Sequence, residues 1–265
     1  MRITFIGGGN MASAIIAGLH HASDLALHVV DRNFDKCQRM AHEYGATYSV
    51  QLSPEDLQAD VIVLAIKPQQ LQALCADIAP HLNEQLIISV AAGVRTSKLA
   101  GWLNGYERLV WVMPNTPAQV GAGVSGIYAT DAVGDHERAV AERIFQAVGK
   151  TVWLDDETRM DNLTAITGCG PAYVFYMVEA LQAAAIAQGF SETDARSMAE
   201  GTFFGAVKLL ESSGEDAATL RAKVTSKKGV TEQGILSFTE DGLFDLFKRA
   251  AERARARSEE MGKLL

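Results

Sequence analysis

Two short stretches carry residues whose types and spacing could do chemistry. The first, Ile6-Gly7-Gly8-Gly9-Asn10-Met11-Ala12, fits the pattern G-x-G-x-x-G/A, with Ala12 in the last slot. Gly7 permits a tight turn, Gly9 lets an anion approach the backbone, and Ala12 lets a helix pack close to a strand. The free N–H groups and positive dipole end of that helix suit a pyrophosphate. A purely structural turn is the plainer alternative. The second stretch, Thr225-Ser226-Lys227-Lys228-Gly229-Val230-Thr231, puts hydroxyls and cations before a helix, where a small carboxylate could be held. An ordinary helix-to-helix turn with Thr231 as cap is the plainer reading of these residues alone. Together the two stretches suggest a reductase that brings a nicotinamide to a small acidic substrate between two domains.

Three further places could contribute. Asp31 ends a strand pattern at about the ~20-residue offset of a ribose-binding acid. It favours NAD, whereas the adjacent Arg32 could pair with a 2′-phosphate and favours NADP, so the choice stays open. Ala65-Ile66-Lys67-Pro68 and Met113-Pro114-Asn115-Thr116-Pro117 follow apolar strand patterns, where ligands bind in parallel α/β sheets. Simple turn chemistry is the alternative for both. All six histidines precede residue 140, which excludes a His-based proton relay from the second half of one chain. Neither metal-ligand spacing nor a Ser-His-Asp set is evident there. In Thr167-Gly168-Cys169-Gly170-Pro171-Ala172, Cys169 reads as a small packed residue, since no base accompanies it.

The elements that must position these residues fall into two textures. Strand-like runs at Ile3–Ile6, Leu27–Val30, Val61–Ile66, Leu86–Val90 and Leu109–Met113 alternate with helical patterns at Ala12–His20, Phe34–Tyr44, Gln69–Ile78 and Thr96–Leu103. Ser53-Pro54-Glu55-Asp56 reads as a further helix start. That alternation predicts right-handed βαβ units and a parallel sheet covered on both faces. After the polar break Asp155-Asp156-Glu157 the pattern is helical: Glu157–Ile166, Pro171–Gln188, Glu192–Glu211, Asp216–Val224, Thr231–Thr239 and Leu243–Met261. The expected fold class is therefore α/β, with a dinucleotide-binding domain over residues 1–156 and an all-helical substrate-binding and dimerisation domain over 157–265.

Composition narrows the classes. The chain has 265 residues, 48% of them hydrophobic, enough for one large or two modest domains. A formal net charge of −8 argues against nucleic acid as a partner. Three cysteines and no leader before the first strand predict a reducing, cytoplasmic setting. The long apolar run from Ala172 to Ala187 is interrupted by Glu179 and Gln182 and reads as a buried helix, not a membrane span. Because the Pro171–Gln188 pattern is apolar nearly all round, it needs cover on every side, which predicts an obligate homodimer.

Six segments match one family in order: Gly7–Met11, Ala65–Pro68, Ser89–Val94, Met113–Pro117, Gly168–Tyr173 and Thr225–Thr231. Over about residues 2 to 261 the chain resembles the pyrroline-5-carboxylate reductases. The resemblance implies NADPH- or NADH-dependent reduction of L-1-pyrroline-5-carboxylate to L-proline, the last step of proline biosynthesis. It also implies an N-terminal doubly wound domain of Rossmann type and a C-terminal helical domain that interlocks in a homodimer, with dimers gathered into a larger ring. By resemblance, Ile6, Gly7, Gly8, Gly9, Asn10, Met11, Ala65, Ile66, Lys67 and Pro68 contact the cofactor. Ala92, Asn115 and Thr116 lie toward the nicotinamide. Ser226, Gly229, Val230 and Thr231 hold the substrate, and the Thr231 hydroxyl faces the ring nitrogen as the catalytic group.

The family usually has Ser-Pro-Gly-Gly where this chain has Ser226-Lys227-Lys228-Gly229, and often serine at Cys169. Either the turn differs or Lys228 adopts a left-handed conformation at an energetic cost. Two other readings are a β-hydroxyacid dehydrogenase and a non-catalytic NAD(P)-binding sensor. The former needs a lysine on the helix after Pro171, where none occurs before Lys208.

Overall fold

A computed structural model describes residues 1–264. In chain order its first elements are β1 (Arg2–Ile6), α1 (Asn10–Leu19), β2 (Ala26–Val30), α2 (Phe34–Tyr44), β3 (Thr47–Ser49), β4 (Val61–Leu64) and α3 (Pro68–Ile78). Then follow β5 (Leu86–Ser89), α4 (Thr96–Trp102), β6 (Leu109–Met113), β7 (Gly123–Ala129), α5 (Asp135–Gln146), β8 (Gly149–Trp153) and α6 (Arg159–Leu163). The remainder is helical: α7 (Gly170–Ala187), α8 (Glu192–Ser213), α9 (Ala217–Lys223), α10 (Val230–Glu240) and α11 (Leu243–Leu264).

The eight strands form one sheet in the order β3-β2-β1-β4-β5-β6-β7-β8. Pairing is parallel except between β6 and β7, which run antiparallel. The chain winds outward from β1 through β2 to β3, then crosses back to β4 and winds the other way. That reversal beside β1 is where ligands bind in doubly wound folds. The continuous apolar runs of β4, β5 and β6 are buried, as expected of strands covered on both faces. One core packs α1, α2 and α5 against the sheet around Phe5, Ile15, Ile16 and Phe145. A second packs α3 and α4 around Ile62, Leu71, Ile78 and Leu99.

Local chemistry explains the helix ends. Asn33 Oδ1 accepts from Lys36 N at 3.0 Å to start α2, and Gly45 ends it in the left-handed region. Pro68 opens α3. The Ser53 start forms with a capping box to Asp56, but it is a single 3₁₀ turn, Pro54–Leu57. A π-type turn, Thr164–Gly168, follows α6.

The chain separates into two compact units, Met1–Cys169 with residues 254–264, and Gly170–Arg253. The second contains α7 to α10 and the start of α11, with α7 and α8 packed together. Among its described residues only Ala195 and Ala199 are buried. Phe175, Tyr176, Phe204, Phe238 and Phe244 are exposed. No helix among the described residues is long and apolar enough to cross a membrane.

Candidate active site

The glycine loop sits between β1 and α1, at the reversal of the sheet. Gly7 has φ +104°, and a Cβ there would stand 2.5 Å from the Ala65 carbonyl oxygen. The turn is thus closed to any side chain, both by conformation and by the neighbouring strand end. Gly9 is the N-cap of α1 and has no side chain with which to bond the first-turn N–H groups. A Cβ on Gly9 would meet nothing within 4 Å, so the loop opens to free space in front of the helix start. Asn10 is exposed, Met11 half-buried and Ala12 fully buried against the sheet. An anion placed there meets backbone N–H groups and the positive end of the helix.

Asp31, at the end of β2, is committed to the chain itself. Its Oδ2 accepts from Gly8 N at 2.6 Å and its Oδ1 from Asn33 N at 2.8 Å. Arg32 beside it is exposed. Ile6, Gly7, Asp31, Arg32 and Ile66 line a groove of about 640 Å³ together with Val50, Gln51, Leu52, Gln69 and Gln70. Val50, Gln51 and Leu52 were not legible as site residues, because β3 before them spans only three residues, with Tyr48 exposed, and gives almost no periodic signal; Gln69 and Gln70 belong to the first turn of α3, whose pattern marks a helix but not a site.

A buried polar cluster holds the far wall of that groove. His28, on β2, meets Thr47 Oγ1 through Nδ1 at 2.8 Å and Asp56 Oδ1 through Nε2 at 2.9 Å. Ser49 Oγ donates to Asp56 Oδ1 at 2.8 Å, and Ser53 N donates to its Oδ2, also at 2.8 Å. Burial pushes His28 below its ordinary value, against the opposing pull of the Asp56 carboxylate. For Asp56, burial acts upward, but hydrogen bonds from Ser49 and Ser53 outweigh it and hold the carboxyl low. His28 is therefore a neutral brace at neutral pH, anchoring the segment from Ser49 to Ser53.

Ala65 and Ile66 are half-buried after β4, and Ala65 N donates to Ile6 O at 2.8 Å. Lys67 caps α3 and is exposed. Ala92 is exposed on the loop after β5. Thr116 is exposed after β6, but its neighbour Asn115 is buried and hydrogen-bonded through both amide atoms. Asn115 Nδ2 donates to Thr167 O at 2.9 Å, and its Oδ1 accepts from Val124 N at 2.8 Å. The side chain of Asn115 thus shapes the loop, leaving backbone and Thr116 for contact outward.

In the helical unit, Gly229 caps α10 without a side-chain partner, and Val230 and Thr231 begin the helix. The hydroxyl of Ser226 is tucked against Gly229 where a Cβ would have to be. Ser226 and Thr231 are exposed, and the Thr231 hydroxyl has no hydrogen bond among the described residues. Lys228 does adopt the left-handed region, with φ +59°. Its N–H donates to Glu232 Oε2 at 2.7 Å, which closes the turn onto the first turn of α10. The lysine therefore keeps the conformation a glycine would take, at a steric cost.

Neither fully buried cysteine can present a thiolate. Burial raises Cys37 and pushes Cys75 up to about 12. No group of three His, Cys, Asp or Glu side chains among the described residues could hold a metal ion.

Sheet order, strand reversal and an open glycine-lined helix start define a dinucleotide-binding α/β protein joined to a helical unit. Residues 2–93 match the family model described as NADP oxidoreductase coenzyme F420-dependent, and residues 157–261 match that for pyrroline-5-carboxylate reductase dimerisation. The chain is 38% identical over 269 residues to the pyrroline-5-carboxylate reductase of Vibrio alginolyticus, covering 99% of this chain and 98% of that one. The solved structure of the pyrroline-5-carboxylate reductase of Coxiella burnetii superposes with a TM-score of 0.94 at 37% identity, covering 98% of this chain and 97% of that one. The Plasmodium falciparum enzyme, solved with NADP bound, gives 0.82 at 29% identity, covering 99% and 98%.

The chain belongs to the pyrroline-5-carboxylate reductase family, NAD(P)H-dependent oxidoreductases of the final step of proline biosynthesis. Its C-terminal part is that family's dimerisation domain, the part through which the chain self-associates.

Proposed function

We propose that this chain reduces L-1-pyrroline-5-carboxylate to L-proline, with NADPH as the preferred donor, in the cytoplasm. The observation that carries this reading is the open cradle at Gly7–Met11 in a chain similar over 99% of its length to a pyrroline-5-carboxylate reductase. Residues 1–156 act as the cofactor domain and 157–265 as the substrate and dimerisation domain, and dimers gather into a larger ring.

The nicotinamide, when bound, supplies the hydride. Everything else falls to the chain. Ile6 to Met11 hold the pyrophosphate through backbone N–H groups, because Gly7 and Gly9 leave no side chain in the way. Both Asp31 oxygens already accept backbone N–H groups, which leaves the exposed Arg32 to pair with a 2′-phosphate. Ala65 to Pro68 border the cofactor, with Lys67 as an exposed cation. Ala92, Asn115 and Thr116 form the nicotinamide end, Asn115 by shaping its loop.

The substrate carboxylate is held by Ser226, Gly229 and Val230 at the start of α10, where N–H groups lack intrahelical partners. Lys227 and Lys228 add positive charge beside it. A cyclic imine can be protonated in water before binding, and the iminium carbon is already electrophilic. The chain therefore needs to orient the ring and exclude water, and needs no strong acid. Thr231 orients the ring nitrogen with an exposed hydroxyl at the start of α10, whereas the Thr225 hydroxyl is already committed to Arg221 O.

Replacing Thr231 by alanine is the sharpest test of this assignment. Turnover with L-1-pyrroline-5-carboxylate is expected to fall about tenfold to a hundredfold, the scale of one positioned polar group, with NADPH affinity retained. Wild-type turnover in Thr231→Ala removes the residue from the mechanism. A wild-type preference for NADH over NADPH overturns the reading of Asp31 and Arg32.

A further inference from the structure

The loop after β5 is gripped from behind by residues distant in sequence. Asp161, on α6, is only 3% exposed. Arg95 Nη2 donates to its Oδ2 at 2.6 Å, and Ser258 Oγ, on the last part of α11, donates to its Oδ1 at 2.7 Å. Beside this pair, Thr96 N donates to Glu157 Oε1 at 2.5 Å. Gly262, one turn beyond Ser258, lies so near the loop that a Cβ on it would stand 3.3 Å from the Gly93 carbonyl oxygen. All these residues belong to the same compact unit.

A carboxylate this buried persists only where charge and hydrogen bonds replace its hydration. Here one replacement comes from the loop and the other from the C-terminal helix, so the carboxylate couples the two. The loop is pinned on its other side by Trp111 Nε1, which donates to Ala91 O at 3.0 Å. Ala92, between these anchors, is left exposed, and Gly93 next to it is held at φ +77°. The same helix α6 runs into the turn whose Thr167 carbonyl accepts from Asn115. One short helix thus braces both loops that carry the candidate nicotinamide contacts.

We propose that Asp161 and Ser258 are positioning residues for the nicotinamide end of the cofactor site. They link the C-terminal helix to Arg95 and thereby set the Ala92–Gly93 loop. The proposal rests on the reading of Ala92 as a cofactor contact, and it gives residues 254–264 a role in cofactor binding.

The test uses the full chain and three variants, Ser258→Ala, Ser258→Thr and Arg95→Lys. NADPH affinity is read directly by fluorescence titration, with KM values for NADPH and L-1-pyrroline-5-carboxylate and thermal midpoints measured in parallel. Ser258→Ala and Arg95→Lys are expected to weaken NADPH binding about threefold to tenfold, the net scale of one ordinary hydrogen bond felt through the loop it holds. KM for the imine stays near wild type, and Ser258→Thr, which keeps the hydroxyl, restores NADPH affinity. Unchanged NADPH affinity in Ser258→Ala and Arg95→Lys overturns the proposal. So does a Ser258→Thr variant as weak as the alanine, or a loss seen only in the thermal midpoint. Wild-type protein that binds NADPH but does not reduce the imine would refute the proposed reaction alone, and the affinity series would still decide this link.

Discussion

The two compact units of this chain satisfy their apolar residues in opposite ways. In the first, Phe5, Ile15, Ile62, Ile87 and Phe145 are completely buried between helices and sheet. In the second, α7 to α10 and the first half of α11 bury only two alanines among the described residues, and aromatic side chains face outward along α7, α8, α10 and α11. An apolar surface of that kind marks an interface. The dinucleotide-binding unit is thus a finished fold within one chain, whereas the helical unit is half of one. That contrast agrees with the dimerisation domain the family match assigns to residues 157–261.

The contrast can be broken most directly on α7. Phe175→Glu puts a charge on the exposed apolar face and is expected to weaken self-association by about 30-fold or more, the effect of a central interface aromatic. Sedimentation over a concentration series reads it, and an unperturbed dimer would remove that face from the interface. In the finished unit the largest effect falls on Gly7. Gly7→Ala forces a side chain into the left-handed region and onto the Ala65 carbonyl, so NADPH affinity should drop by about tenfold or more. The assembly mass of that variant should not change.

The finished unit also has a pH signature that the helical unit, lacking histidine, does not share. His28 has its pKa lowered in the fold from 6.5, so as pH falls below about 6.5 the unfolded chain binds a proton that the folded chain resists. Stability contributed by neutral His28 is complete above that value and is lost as pH falls from it toward the lower folded value. The thermal midpoint should fall on mild acidification below that value, as the proton taken up by the unfolded chain pulls the equilibrium toward it. His28→Gln should flatten the profile in that window. An equally steep profile in the variant would assign the effect elsewhere. The smallest expected effect is at Lys228. Lys228→Gly relieves a left-handed cost of about 1–2 kcal/mol but gives back about 0.5–1 kcal/mol in chain entropy. The midpoint should therefore rise by a degree or two, and a fall would mean that the Lys228 side chain contributes contacts of its own.

The same contrast explains what the sequence made legible. β1, β2, β4, β5 and β6 announce themselves because central parallel strands must be apolar on both faces, and all five appear within two residues of expectation. The six helical patterns after residue 156 also appear, because each repeats over two turns or more or carries a cap such as Ser191 or Asp216. β3, β7, α5 and β8 went unread. β7 contains Gly123 and Gly126, which suggest a turn; Gly126 is small because Leu163 packs where a Cβ would be. β8 is only half-buried, with Lys150 and Val152 outward, and α5 is dominated by charge.

At the candidate site the glycine loop was legible, because backbone geometry alone demands it. The commitment of Asp31 to Gly8, of Asn115 to Thr167 and of Asp161 to Ser258 was not. Each joins residues from about 20 to about 100 positions apart, and no local pattern encodes such a pairing.

The central claim is the reaction itself. The most direct measurement supplies purified protein with L-1-pyrroline-5-carboxylate and follows reduced-cofactor consumption and L-proline formation together, with NADPH and NADH in parallel. The account predicts one proline formed for each cofactor oxidised, faster with NADPH. Tight NADPH binding with no imine-dependent oxidation and no proline would contradict it.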